Sequence, residues 1–171
     1  LLAAPAPDLT PLLQQWSRNG ALPLHTRAQA ITVQEHGNGP VDTAYRDGLV
    51  QAAGLLRQLR TTEPSPLDEN DALASPWSEE LAQLPLCFQL DVARELGVEH
   101  ADLALAVLRA ARPATSGREA LTFVEALADI PLTGSALLLQ EILLESTDRG
   151  LQKAIKKALH RLKVQGVTFA E

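Results

Sequence analysis

The sequence predicts an all-α protein, built at least in its second half from antiparallel helix pairs, and three observations support this prediction. Leu and Ala supply most of the apolar residues, which form 46% of the 171-residue chain, and both favour helices. Small polar residues recur just before apolar runs of helical period. No stretch alternates apolar and polar residues between hairpin turns, as a strand would.

Helix starts are predicted where a residue able to cap a helix precedes an apolar run. Two of them have capping-box spacing, in which each side chain bonds a backbone amide near the other. The starts are Thr10-Pro11, Thr26 with Gln29, Asp42, Ser75-Pro76, Ser116 with Glu119, and Ser135. Glycine or proline ends the runs, at Gly20, Gly37, Gly97, Pro113, Pro131 and Gly166. The predicted helices lie near residues 11–18, 26–36, 42–60, 76–84, 86–96, 101–112, 117–129, 134–146 and 150–165.

The spacing of apolar residues predicts how the chain is organised. The third helix carries one continuous apolar stripe, formed by Tyr45, Leu49, Ala52, Leu56 and Leu59, which must be buried against another element. Residues 61–75 are acidic, contain two prolines and have little apolar content, as a linker or loop would. We therefore predict a helical N-terminal unit over residues 1–60 and helical repeats over residues 76–171.

Internal similarity in the second half predicts the repeats. Alignment of residues 120–127 with residues 152–159 places the second helices of two pairs 32 residues apart, within the range of repeat proteins. In residues 134–165 a leucine-rich helix, a short turn with Asp148, and a helix with Lys153 early and Ala158-Leu159 late resemble a HEAT-type repeat. Residues 76–130 fit more loosely. The resemblance implies a short α-solenoid of stacked helix pairs, a fold commonly used to bind other macromolecules.

The last predicted helix is the strongest anomaly in the sequence. Residues 149–165 contain six Lys or Arg and no acid, so the rest of the chain holds 9 basic and 21 acidic residues, a formal charge of −12 against +6. A helical projection places apolar residues on one side and cations on the other. The candidate anion-binding or partner-binding residues are Lys153, Lys156, Lys157, Arg161 and Lys163.

Two interpretations of these cations stay open. Exposed lysines at this density attract phosphates, which favours nucleic acid or an anionic surface. Alternatively, the cations complement the helix dipole and pair with Glu141, Glu145 and Asp148 of the preceding helix and turn. An acidic body and the absence of aromatic residues among the lysines weigh against nucleic acid.

The sequence contains no recognisable catalytic, cofactor-binding or metal-binding motif. The four histidines, His25, His36, His100 and His160, are far apart and none lies near another metal-ligating side chain in a binding pattern. Cys87 lies between Leu86 and Phe88 and is expected to be a small buried core residue. Trp16, Tyr45 and Trp77 are expected to anchor packing, or to contact a partner if exposed.

The composition limits the cellular compartments in which the protein is expected. No apolar run is long enough to span a bilayer, and a single cysteine cannot form an intramolecular disulfide, so we expect a cytoplasmic protein. A periplasmic or processed form fits the same features, because Ala4 and Ala6 suit a signal-peptide cleavage site.

These observations rank three classes of function. The first is a non-enzymatic interaction or scaffold domain that binds a protein partner. The second is binding of nucleic acid or an anionic surface through the basic last helix. The third is a helical enzyme or an enzyme accessory domain. The sequence leaves the oligomeric state open.

Overall fold

The computed structural model describes residues 8–61, 76–97, 99–111 and 117–169. Within these ranges the chain forms α-helices and no strand, which confirms the all-α prediction. The helices are α1 (Thr10–Arg18), α2 (Leu24–His36), α3 (Thr43–Thr61), α4 (Pro76–Gln83), α5 (Leu86–Leu96), α6 (Ala101–Ala110), α7 (Arg118–Ala128), α8 (Thr133–Glu145) and α9 (Arg149–Val164). Each predicted helix is present, with ends within two residues of the prediction.

The start of α2 corrects one prediction. The sequence places that start at Thr26, with Gln29 closing a capping box, but α2 begins at Leu24. The Leu24 N–H donates to the carboxylate of Glu95 on α5, 71 residues away. A distant side chain therefore accepts the first free amide of α2, two residues before the local capping box that the sequence predicts.

Two other helix starts differ in how far they follow the prediction. Asp42 caps α3 as predicted, because its Oδ1 accepts a first-turn N–H at 3.2 Å. Thr10 is not a cap, since it is the first residue of α1 and its N–H donates to Asp8 Oδ1 at 2.9 Å. Ser75 and Ser116 lie outside the described residues, and so do the capping roles predicted for them.

One hydrophobic core extends from Leu24 on α2 to Leu162 on α9. The predicted stripe of α3 belongs to it. Its buried members are Leu49, Ala52, Leu56 and Leu59. Tyr45 is half-buried and packs on Phe88 of α5, with ring centroids 5.3 Å apart. The stripe therefore attaches α3 to the middle of the molecule.

The helices pack mainly on their neighbours in the chain. From α3 onwards, next-but-one neighbours contact each other, since α3 packs on α5, α5 on α7, α7 on α9, α4 on α6 and α6 on α8. Consecutive helices also pack, with α1 on α2 and α5 on α6 among the most extensive contacts. None of the described helices combines the length and the apolarity needed to cross a bilayer.

A buried polar network joins the N-terminal helices to α5. Arg27 on α2 is only 4% exposed, and its guanidinium donates to Asp91 Oδ2 at 2.6 Å, Tyr45 Oη at 2.9 Å and Ser17 O at 3.2 Å. Burial lowers the pKa of Arg27, but these bonds to Asp91 and Tyr45 outweigh it and raise the pKa above its usual value.

The domain division predicted at 61–75 stays a prediction, because residues 62–75 lie outside the described chain.

Candidate functional site

The last helix, α9, has one buried side and one cationic side. It begins where Asp148 Oδ1 accepts the N–H groups of Gly150 at 2.7 Å and Leu151 at 3.3 Å. Its buried residues are Leu151, Ile155, Ala158 and Leu162. All of the predicted cations are exposed: Lys153, Lys156, Lys157, Arg161 and Lys163, here called the basic face.

Only part of the basic face is paired with acid. Arg161 Nη2 lies 2.7 Å from Asp129 Oδ1, an acid at the end of α7 and not one of the predicted partners on α8 and the following turn. In the described part of the chain, Lys153, Lys156 and Lys157 have no carboxylate within ion-pair distance. Three adjacent cations of the basic face therefore remain open to solvent.

The helix dipole accounts for some of these cations but not for these three lysines. A cation is stabilised by the dipole within the last turn of a helix, and the effect fades beyond it. Arg161 and Lys163 lie in the last turn of α9. Lys153, Lys156 and Lys157 lie farther from that end, so neither the dipole nor an ion pair explains their position.

A groove of about 460 Å³ lies beside the basic face, between α8, α9 and the segment that follows α9. Its apolar side chains are Leu143, Leu159 and Phe169, and its basic ones are Lys156, His160 and Lys163. Gln140 adds an amide. Of the predicted site residues the structure therefore brings Lys156 and Lys163 to the groove, but not the other three.

The wall formed by Phe169 depends on a turn after α9. Gly166 has a φ of 90°, which L-residues with a side chain rarely adopt. The Val167 N–H then donates to Leu162 O at 3.0 Å, and the Thr133 hydroxyl donates to Thr168 O at 3.3 Å. The chain is thereby folded back towards α8. Lys163 Nζ lies 5.4 Å from the Phe169 ring centroid, within cation–π range.

Cys87 corrects another prediction. It is exposed rather than buried in the core. Although the residue is exposed, neighbouring atoms partly remove water from its sulfur, and this desolvation and the charge of Asp91 raise the pKa of its thiol above the usual value. Fewer molecules therefore carry the reactive thiolate at neutral pH, which is the opposite of what nucleophilic catalysis requires.

A second cleft, of about 310 Å³, contains Arg27, Arg60 and Arg94 together with Asp91 and Glu95. Its arginines are already engaged by the protein. Arg60 donates to Glu95 O at 2.7 Å, and Arg94 lies 3.1 Å from Asp91. The cleft therefore looks like a junction between helices rather than a ligand site.

The three aromatic residues singled out in the sequence have different surroundings. Trp77 is 7% exposed and packs in the core, and Tyr45 is half-buried. Trp16 is 44% exposed on α1, beside Leu9 and Leu12, which are also exposed. These three side chains are spaced three and four residues apart and expose a small apolar patch at one side of α1.

The described residues hold no group of three His, Cys, Asp or Glu side chains close enough to bind a metal ion. Comparison of the chain with known protein families, with curated proteins and with solved structures finds no match. The arrangement of its own side chains is therefore the basis for a functional proposal.

Proposed function

We propose that this protein is a non-enzymatic interaction domain that binds a protein partner through the basic face of α9. The observation that supports it best is the state of Lys153, Lys156 and Lys157. They are exposed, they have no carboxylate partner among the described residues, and the opposite side of the same helix is buried. Because the buried side fixes the orientation of the helix, the lysines form a preorganised surface.

The scaffold under this surface is proposed to be a short HEAT-like stack of helix pairs. The packing of helices on their next-but-one neighbours supports it, since a solenoid builds its core in that way. The resemblance of residues 134–165 to a HEAT-type repeat is a second support. Such stacks commonly serve as binding surfaces.

The distribution of charge over the chain favours an acidic protein over nucleic acid as the partner. The chain carries a net charge of −6, so its body repels an extended polyanion while α9 attracts a local acidic patch. A nucleic acid would extend beyond α9 and meet that body. We therefore expect DNA and RNA to bind weakly or not at all at physiological salt.

The test compares two triple charge reversals, each at three exposed cations, one on the basic face and one elsewhere. The triple variant K153E/K156E/K157E reverses the three lysines of the basic face that have no carboxylate partner in the described chain, while R18E/R57E/R118E reverses three exposed cations elsewhere. Each full chain is immobilised, and the proteins retained from a cell extract are identified by mass spectrometry. A retained protein is then purified and its affinity is measured across a salt series, with circular dichroism as the check on folding.

We expect the partner to bind the wild type and the R18E/R57E/R118E variant alike and to lose at least about tenfold in affinity for the triple lysine variant. Equal binding by all three chains would refute the proposal. Submicromolar, salt-sensitive binding of duplex DNA or RNA that the triple variant loses would refute it in favour of nucleic acid.

A further inference from the structure

We infer that the groove between α8, α9 and residues 167–169 binds an acidic segment of the partner that carries a bulky apolar side chain. This inference rests on the proposed function and names the chemistry that the site recognises. Its basis is the combination, in one groove, of an apolar floor and a basic rim.

The rim follows from helical spacing. Lys156, His160 and Lys163 are separated by steps of four and three residues, so they line one edge of α9. Leu159 lies between them and faces the groove together with Leu143 of α8. One edge of the helix thus offers two lysines and an imidazole above an apolar surface.

The charge of the lining selects the occupant. Among the described residues that line the groove there is no Asp or Glu, although the chain as a whole is acidic. A carboxylate near Lys156 gains an ion pair that no described residue of the chain provides. Neutral or basic segments gain no such contact, so complementarity favours an acidic one.

The floor distinguishes a peptide from a phosphate-rich ligand. Leu143, Leu159 and Phe169 are each only partly buried, and a phosphate backbone would leave them against polar atoms. A Leu, Phe or Trp side chain would cover them and remove apolar surface from water. The volume, about 460 Å³, is within the range of pockets that take a small organic ligand, and a Leu, Phe or Trp side chain is no larger than such a ligand.

The probe is a synthetic, fluorescein-labelled peptide of about 14 residues, with Leu at helical spacings on one side and Glu at the other positions. Two comparison peptides replace either the leucines with Ser or the glutamates with Gln. Dodecanoate, used as a competitor, represents a small amphiphilic anion. Binding to the full chain is measured by fluorescence polarisation, and the oligomeric state by light scattering.

Neighbouring lysines provide a matched control. Lys156 lines the groove and Lys157, next to it in α9, does not. We expect K156E and F169A each to weaken binding of the probe by about tenfold, and K157E by less than about threefold. We also expect both comparison peptides to bind at least about tenfold more weakly than the probe.

Several results would overturn the inference. Equal losses for K156E and K157E with no loss for F169A would mean that charge alone attracts the probe. Tight binding of dodecanoate that displaces the probe would assign the groove to a small amphiphile. A dimer of the free chain that K156E dissociates would assign it to a second copy.

The proposed function can be refuted independently of the inference about the groove. If the natural partner is lost from K153E/K156E/K157E but not from F169A, the basic face binds the partner and the groove does not. If the partner binds the triple lysine variant as well as the wild type, the proposed function itself is refuted, whatever the peptide does.

Discussion

Replacing Gly48 with alanine is expected to destabilise the protein, although the same change at Gly54 of the same helix is expected to stabilise it. Both glycines lie inside α3, where alanine is favoured over glycine by about 0.8–1.0 kcal/mol. A Cβ at Gly54 meets no atom within 4 Å, so that gain is realised in full. A Cβ at Gly48 would lie 2.6 Å from Cε2 and 3.0 Å from Cδ2 of Phe88.

The Phe88 ring has little room to move. It is 2% exposed, and Tyr45 packs on it at an interplanar angle of 51°. Adding a methyl group to a filled core costs about 1–3 kcal/mol. After the helix gain is subtracted, G48A should destabilise by roughly 0–2 kcal/mol, and the two variants should differ by roughly 1–3 kcal/mol.

The assay is urea-induced unfolding followed by far-UV circular dichroism. The curves of all variants are fitted with one common slope of the unfolding free energy against urea concentration. At about 2–4 °C per kcal/mol for a chain of this size, thermal melts should separate G54A from G48A by roughly 2–12 °C. A double-mutant cycle with F88L should show that G48A costs less when the ring is absent. If G48A stabilises the chain as much as G54A does, the close packing of α3 on α5 described above is refuted.

Three further outcomes are expected. Arg27→Met should lower the free energy of unfolding by about 2–4 kcal/mol, because it removes the buried guanidinium that bonds Asp91, Tyr45 and Ser17 and leaves Asp91 only the more exposed Arg94 as an ion-pair partner. Arg46→Met, at more exposed ion pairs, should leave the urea midpoint unchanged within error. Ser135→Ala should raise the free energy of unfolding by about 1 kcal/mol, because the Ser135 hydroxyl is buried and has no hydrogen-bond partner in the described chain. Ser17→Ala should lower it by about 0.5–1.5 kcal/mol, because the change removes a 3.1 Å bond to a backbone carbonyl. Changes of the same sign in the two variants would contradict this reasoning. Cys87 should react with iodoacetamide at pH 8 more slowly in the folded chain than in urea, because its raised thiol pKa leaves less thiolate, and mass spectrometry showing equal rates would refute that cause.

Helix positions were predictable because their signals are local. Apolar spacing and turn residues such as Asp42 and Gly97 act within a few residues, so they mark where a helix begins or ends without reference to the rest of the chain. The start of α2 was not predictable in this way, because Glu95 of another helix accepts its first amide. Similarly, Ser135 was interpreted as a helix start but lies buried within the first turn of α8.

The position of Cys87 shows why sequence neighbours are a poor guide to burial. Leu86 and Phe88 flank it, but successive residues of a helix point about 100° apart, so an apolar neighbour does not place a residue in the core. Phe88 is buried while Cys87 is exposed. Burial is decided by which side of α5 the other helices cover.

The same distinction between local sequence and tertiary packing applies to the basic face and the groove beside it. The sequence by itself determined that α9 has an apolar and a cationic side, because helical periodicity places side chains on faces before any tertiary contact forms. Only the tertiary structure decided that Lys156 stands beside an apolar groove, since that requires the turn at Gly166 to bring Phe169 against α8 and α9. Periodicity is a property of one segment, whereas a groove is formed by segments that the fold brings together.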